Sequence, residues 1–390
     1  MKILLVSSFL PYPLFSGGQV RLYNLIKQLS KKHNIILVCE KRSNQTEEDV
    51  NVIKKLCTDV IIVDRKRQWS FINILITIFS SHPFLMVGHN HYEMKKKIEK
   101  ILLLNNFDLI HVETFYVMQN VPNTQLPMVL VEHNIEYLVY QRFVNQLTPI
   151  IRFIFQIDVE KLRHWENFFW KKATKLVAVS ETELNEMKIK DAVIVPNGVD
   201  IARYLYQDNR NLKEKKVLYI GDFKWLENQD SAKFIITKIW PIIKTISKEK
   251  IILWIVGKNI PNYIRQISND ETIVFDENAD DTVAVFKNSS VLLAPIRVGG
   301  GTSFKILESM AMGVPVVTTP LGISGIKAKD NEHALVGESP EDLAKKVCML
   351  LSDEKSFFTM TRKARNLIEN EYNWENIAIK LEDVYKSVII

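Results

Sequence analysis

The chain has 390 residues, 47% hydrophobic and 25% charged, with 51 Lys and Arg against 45 Asp and Glu for a net charge of +6. That length predicts two domains, and that apolar content excludes intrinsic disorder. Thirteen Gly, 13 Pro and three scattered Cys (Cys39, Cys57, Cys348) exclude a collagen-like repeat, a disulfide scaffold and a cysteine zinc site, and the charge is too small to indicate nucleic acid.

The first predicted element is the apolar run 3–7. It reads as a buried strand and not as a signal peptide, because Pro11 and Pro13 break the stretch and no small-residue cleavage site follows. No run is long enough to span a bilayer, so the expected location is the cytosol, with peripheral contact at the inner face of a membrane as a further option. A helix is predicted over 18–32, where Leu22, Leu25, Ile26 and Leu29 repeat at helical spacing and Arg21, Asn24, Lys27 and Gln28 face outward. Further Val-, Ile- and Leu-rich runs at 35–39, 60–63, 109–112, 128–131 and 176–179 predict strands covered on both faces. Strand, helix, strand is the unit of a parallel sheet.

Two aromatic stretches interrupt this series. Residues 69–87 contain Phe71, Ile72, Ile74, Leu75, Ile76, Ile78 and Phe79, preceded by Arg65, Lys66 and Arg67. The pattern suits an interfacial helix or a buried one, and burial is the favoured reading. Residues 150–170, rich in Phe and Trp, are expected to pack against the core.

Val195-Pro-Asn-Gly-Val-Asp200 carries strong chain breakers and marks the boundary. A second strand series follows at 217–220, 251–256, 273–275, 291–294 and 314–318, with helices over 230–246, 281–287, 303–312 and 341–351. The expected architecture is thus α/β with two doubly wound, Rossmann-like domains. Their bounds are 1–195 and 196–372, with a terminal helix over 373–390 that packs back across the first domain. The positive excess lies wholly in residues 1–195, with 25 Lys and Arg against 19 Asp and Glu.

Two segments could carry chemistry. Ser16-Gly17-Gly18 lies between strand one and helix one, where glycines allow close ligand approach and a helix N-terminus offers free N–H groups. The stronger one is Pro295-Ile-Arg-Val-Gly-Gly-Gly-Thr-Ser-Phe-Lys-Ile-Leu-Glu308, a strand, a glycine loop and a helix. Gly299, Gly300 and Gly301 sit at the carboxyl end of a parallel strand, where α/β folds bind ligands. Thr302 and Ser303 can present amides to phosphate, Lys305 adds charge in the first helical turn while burying little, and Glu308 at i+3 can accept from a ribose diol. The plain alternative is a capped helix with a solvated Lys–Glu pair.

This block resembles the donor-site signature of the family 4, or group 1, glycosyltransferases. The likeness extends to Gly17-Gly18, Glu132-His133-Asn134, Val179-Ser180, Pro196–Asp200, Gly221 and Val256-Gly257. The resemblance implies the GT-B fold, two Rossmann-like domains facing a central cleft, and retaining sugar transfer from a nucleotide sugar. It implies catalytic roles for His133, Lys305 and Glu308. Donor contacts would come from Gly17, Gly18, Gly257, Gly300, Gly301, Thr302, Ser303, Lys305 and Glu308. His133 would touch the sugar, and Gly257 would border the base. The sequence departs from the family in two ways: the first of its two glutamates falls on Gly300, and its second-domain Gly-Arg…Lys pair is altered, leaving Lys224 as the stand-in.

The expected function is hexosyl transfer from UDP- or GDP-sugar to a hydroxyl acceptor in glycan, polysaccharide or glycolipid synthesis, a lipid-linked precursor being one candidate acceptor. No cofactor or metal is expected, since no D-x-D motif occurs. The alternatives are a nucleotide-sugar epimerase on the same fold and a non-catalytic nucleotide-sugar-binding subunit.

Overall fold

The structure, a computed structural model, describes residues 1–145, 147–208, 214–247, 249–279, 281–298 and 301–389. The chain divides into two compact units, Met1–Pro196 with Ile377–Ile390, and Asn197–Asn376.

The first unit is built on seven parallel strands: β1 (Lys2–Ser7), β2 (Asn34–Lys41), β3 (Asp59–Asp64), β4 (Leu109–Glu113), β5 (Met128–Val131), β6 (Lys175–Ala178) and β7 (Val193–Ile194). Their order is β3-β2-β1-β4-β5-β6-β7. Ile3, Leu4, Leu5 and Val6 are all buried, as the unbroken apolar run requires of a strand covered on both faces. The order reverses between β1 and β4, where Ser7 pairs with Glu113 and the Ser8 and Thr114 hydroxyls meet at 3.1 Å. Ligands of doubly wound sheets bind outside such a switch point.

The second unit holds six parallel strands, β8 (Lys215–Ile220), β9 (Ile251–Val256), β10 (Ile273–Asp276), β11 (Val291–Ala294), β12 (Val316–Thr318) and β13 (Leu335–Val336), in the order β10-β9-β8-β11-β12-β13. Successive residues serve opposite faces: Val217, Tyr219 and Leu293 join one apolar cluster, while Leu218, Leu292 and Ala294 join the other. Here the order reverses between β8 and β11.

The structure alters several expectations. The first helix spans Gly17–Leu29, but Arg21 and Asn24 are buried rather than outward. Arg21 donates from Nη1 to the Pro196 carbonyl (2.7 Å) and from Nη2 to that of Val195 (2.9 Å), which gives a buried guanidinium its partners. The helix expected at 230–246 is three pieces, Leu226–Phe234, a wider-wound segment Ile235–Ile239, and Trp240–Ile246. Pro241 has no N–H to continue an α-helical ladder, and the winding changes just before it. The two-residue strands β7 and β13 and the helix Glu354–Glu371 had no counterpart in the sequence reading.

The apolar stretches also differ. Residues 69–87 form helices Phe71–Phe79 and Phe84–Val87, and in the longer one only Asn73 is buried. Phe71 is 75% and Phe79 84% exposed, so the buried-helix reading is overturned. The reason is local: Asn73 donates to the Arg67 and Gln68 carbonyls, turning the polar side of the helix inward. The helix Pro149–Lys172 buries its second half through Val159, Leu162, Phe169 and Trp170, yet its first turns expose Ile150, Phe153, Ile154 and Ile157. Among the described residues no helix is long and apolar enough to cross a membrane.

Candidate active site

In the second unit, the candidate residues gather at the carboxyl ends of β8 and β11. Gly257 follows β9 with φ +143°, and a Cβ there would meet the Gly221 carbonyl oxygen at 1.7 Å. Gly221 in turn follows β8, where a Cβ would lie 2.7 Å from Asn228. The two glycines therefore let the strand ends close onto the Asn228 amide. Asn228 accepts from the Tyr219 hydroxyl (2.9 Å) and from Lys305 Nζ (2.8 Å). Lys305 Nζ also lies 4.5 Å from the Tyr219 ring centroid, a cation–π contact.

Lys305 is thus a held and half-buried cation, not the lightly buried lysine expected of a first-turn position. Burial brings its ammonium down to about 8, against the opposing pull of Glu227 and Glu308. Glu308 lies one turn on in the helix Phe304–Met312 and accepts from the Tyr204 hydroxyl at 2.9 Å. Burial raises its carboxyl to about 7, the Tyr204 hydrogen bond, Arg203 and Lys305 opposing. Among the described residues Lys305 and Glu308 make no ion pair with each other, so the solvated Lys–Glu pair is not what the helix carries. Each is held by a separate partner, leaving a cation and a carboxyl side by side.

The loop before this helix is only partly described. Gly299 and Gly300 lie outside the described residues. Gly301 has φ +74°, and the Thr302 hydroxyl donates to the Gly325 carbonyl at 3.3 Å. Ser303 is the N-cap but makes no side-chain capping bond, so its hydroxyl takes up none of the first helical amides. Lys224 is half-exposed, 2.9 Å from Asp222 Oδ2, and takes no part in the Asn228–Lys305 cluster.

In the first unit, the helix Gly17–Leu29 starts at the glycine pair, capped by Ser16. A Cβ on Gly18 would lie 3.0 Å from His133 Nδ1 and Cε1 and 3.2 Å from Phe9, so glycine lets the helix start approach this imidazole. His133 Nε2 lies 2.6 Å from Glu113 Oε1, and His111 Nε2 lies 2.5 Å from Glu113 Oε2. Burial pushes the Glu113 carboxyl up, but His133 and His111 together hold it well below the usual carboxylate range. An ionised carboxylate only accepts, so both imidazoles donate to it from Nε2. His111 Nδ1 lies 2.5 Å from the Tyr385 hydroxyl, and His133 Nδ1 faces Gly18. Arg21 Nε lies 3.8 Å from the same carboxylate.

Tyr385 and Asn228 are functional candidates that the sequence reading passed over, while Glu113 reads from the sequence as a residue after a strand that could line the site without a catalytic role. A signal existed for Glu113: His111 and Glu113 are two apart in a strand and so share a face. Asn228 and Tyr385 are brought in by helices and had none. Glu132 points the other way and accepts from Trp170 Nε1 at 3.1 Å, and burial raises its carboxyl far above the ordinary value. Among the described residues no cluster of His, Cys, Asp or Glu is arranged to hold a metal ion.

Comparison with known proteins adds to this. The model of the family described as Glycosyltransferase Family 4 matches residues 15–203, and that described as Glycosyl transferases group 1 matches residues 214–353. The chain is 19% identical over 391 residues to an uncharacterised 44.6 kDa protein in the cps region of Klebsiella pneumoniae, covering 96% of this chain and 97% of that one. It is 20% identical over 263 residues to the UDP-Gal:alpha-D-GlcNAc-diphosphoundecaprenol alpha-1,3-galactosyltransferase of Escherichia coli, covering 60% of this chain and 65% of that one. Sucrose-phosphate synthase from Thermosynechococcus elongatus superposes with a TM-score of 0.74 at 14% identity, over 99% of both chains, a likeness of fold.

Proposed function

Because the chain belongs to the family 4, group 1 glycosyltransferases and has the GT-B fold, we propose that this glycosyltransferase moves a hexosyl group from a UDP- or GDP-sugar to an acceptor hydroxyl with retention and without a metal ion. The observation that carries this reading is the Lys305–Glu308 pair, held apart by Asn228 and Tyr204 at the carboxyl end of β11. Lys305, protonated at neutral pH with its ammonium at about 8, meets the donor's diphosphate. Two ribose hydroxyls donate to Glu308 and draw it into its ionised form. Amides of Gly301, Thr302 and Ser303 share the phosphate charge, so the leaving group departs into a pre-formed positive field. His133, oriented by Glu113, holds the sugar near the reacting carbon.

The name of the E. coli relative, with its nucleotide-sugar donor and lipid diphosphate acceptor, supports a donor and an acceptor of these classes in glycan or glycolipid synthesis. That acceptor class supports a cytoplasmic chain in peripheral contact with the inner face of a membrane. The test is nucleoside diphosphate release by the purified chain across a panel of nucleotide sugars, with and without a polyprenyl-diphosphate-linked acceptor. Acceptor-dependent release is expected. Lys305→Ala should lower kcat/KM by roughly 2–3 kcal/mol, about 30- to 150-fold. An unaffected variant would remove the diphosphate role, and conversion of donor to a second nucleotide sugar without acceptor and without net nucleoside diphosphate release would point to epimerisation.

A further inference from the structure

We propose that the apolar face formed by the helices Phe71–Phe79 and Pro149–Lys172 docks onto an anionic lipid bilayer. The helix Phe71–Phe79 turns its asparagine inward and its Phe and Ile side chains outward, the reverse of a helix that serves the core. The first turns of Pro149–Lys172 continue the exposure, with Ile150 at 80% and Phe153 at 74%. The two faces meet: Lys161 donates to the Thr77 and Ser80 carbonyls at the end of the shorter helix, and exposed Ile157 lies one turn before Lys161. Exposed apolar area this continuous is rare on a monomer without a partner.

Charge identifies the partner. Residues 65–92 contain Arg65, Lys66 and Arg67 and no Asp or Glu. Residues 137–157 contain Arg142 and Arg152 and again no acid. Five cations lie within these two stretches beside exposed Phe, Ile and Trp69, with Asp64, Glu93 and Glu160 at their margins, and this local basic excess matches a surface of negative headgroups over hydrocarbon. A cavity of about 540 Å³ beside the shorter helix is lined by Lys66, Arg67, Ser70, Ile72, Ile76 and Tyr92, and so pairs cations with apolar walls as a phosphate headgroup and its chain require. A second copy of the chain would set these like charges against each other.

The test uses the full chain with vesicles of phosphatidylcholine containing about a third phosphatidylglycerol. Neither donor nor acceptor is present, so its outcome is independent of the transfer reading. Co-sedimentation is expected with the mixed vesicles and not with phosphatidylcholine alone, and it should weaken as salt rises from about 0.15 M to about 1 M. Brominated lipid should quench Trp69, read as the difference between the wild-type chain and Trp69→Phe. The double variant Phe71→Ser/Phe79→Ser should bind at least about tenfold more weakly with an unchanged melting temperature, because both side chains are already exposed. Equal binding by that variant, no vesicle binding by the wild-type chain, or self-association that the same substitutions abolish in place of vesicle binding would each overturn the proposal.

Discussion

At the scale of single residues, Glu308 gives two readouts with opposite signs. Its carboxyl stands at about 7 in the fold against an ordinary 4.5, because burial disfavours the charge. Between those values the folded chain binds more protons than the unfolded one, so stability falls as pH rises. The contribution is fully present below about pH 4.5 and lost as pH passes about 7. Glu308→Gln keeps the bond from Tyr204 and has no proton to lose. The ligand-free variant should therefore be more stable than wild type at pH 8, by roughly 1–3 kcal/mol, with the gap closing towards pH 5. The same variant should bind nucleoside diphosphate more weakly, because a neutral amide accepts less well from two ribose hydroxyls. Thermal melts across pH and calorimetry with UDP and GDP measure the two effects. A variant less stable at pH 8 with unchanged affinity would make Glu308 a structural residue. Lys305 follows the same logic with opposite charge: lowered to about 8, its ammonium costs stability that is relieved only as pH rises above that value.

At the scale of elements, β4 does what its alternation allows. His111 and Glu113 share a face, and the carboxylate collects His111, His133 and Arg21. Glu113→Gln replaces a two-sided acceptor with one acceptor and one donor, so one imidazole must reverse its tautomer or lose its bond. If His133 acts on the sugar, this positioning change should cost about tenfold or more in kcat, roughly 1–2 kcal/mol, and shift the pH profile. Nucleotide affinity should hold. His133→Ala should show the same split between kcat and nucleotide binding, and equal losses in both would argue against a role at the sugar. The strands of both sheets were legible because burial on both faces leaves a continuous Val, Ile and Leu run, as in Ile3–Val6. The strands Val193–Ile194 and Leu335–Val336 are too short to leave one. The helix Glu354–Glu371 carries its stripe Phe357, Met360, Thr361, Ala364, Ile368 among so many charges that the period is diluted. The exposure of Phe71–Phe79 was illegible for another reason. An apolar helix reads the same whether it faces a core or a membrane, and only the turn made by Asn73 decides. Arg21 was misassigned because the carbonyls that receive it, Val195 and Pro196, lie far along the chain.

At the scale of the whole molecule, both sheets reverse strand order once, and both sets of candidate residues stand near those reversals: Gly18 after β1, Glu113 at the end of β4 and His133 after β5, and Asn228 after β8 with Lys305 and Glu308 after β11. In the proposed reading, the charge that a departing diphosphate needs would come from the second unit's held lysine and helix start. A same-face displacement then needs no nucleophile from the protein, because the leaving phosphate oxygen can take the acceptor's proton as the new bond forms. The remaining work is to bind the diphosphate, fix the sugar and exclude water. Under this scheme transfer should survive EDTA, and the product should keep the donor's anomeric configuration. Proton NMR of the new linkage, made by the full chain in EDTA-treated buffer, reads both outcomes at once. An inverted anomer would reject same-face displacement itself. Activity lost in EDTA and restored by Mg²⁺ would leave the stereochemistry standing and instead transfer the neutralising role from Lys305 to an ion.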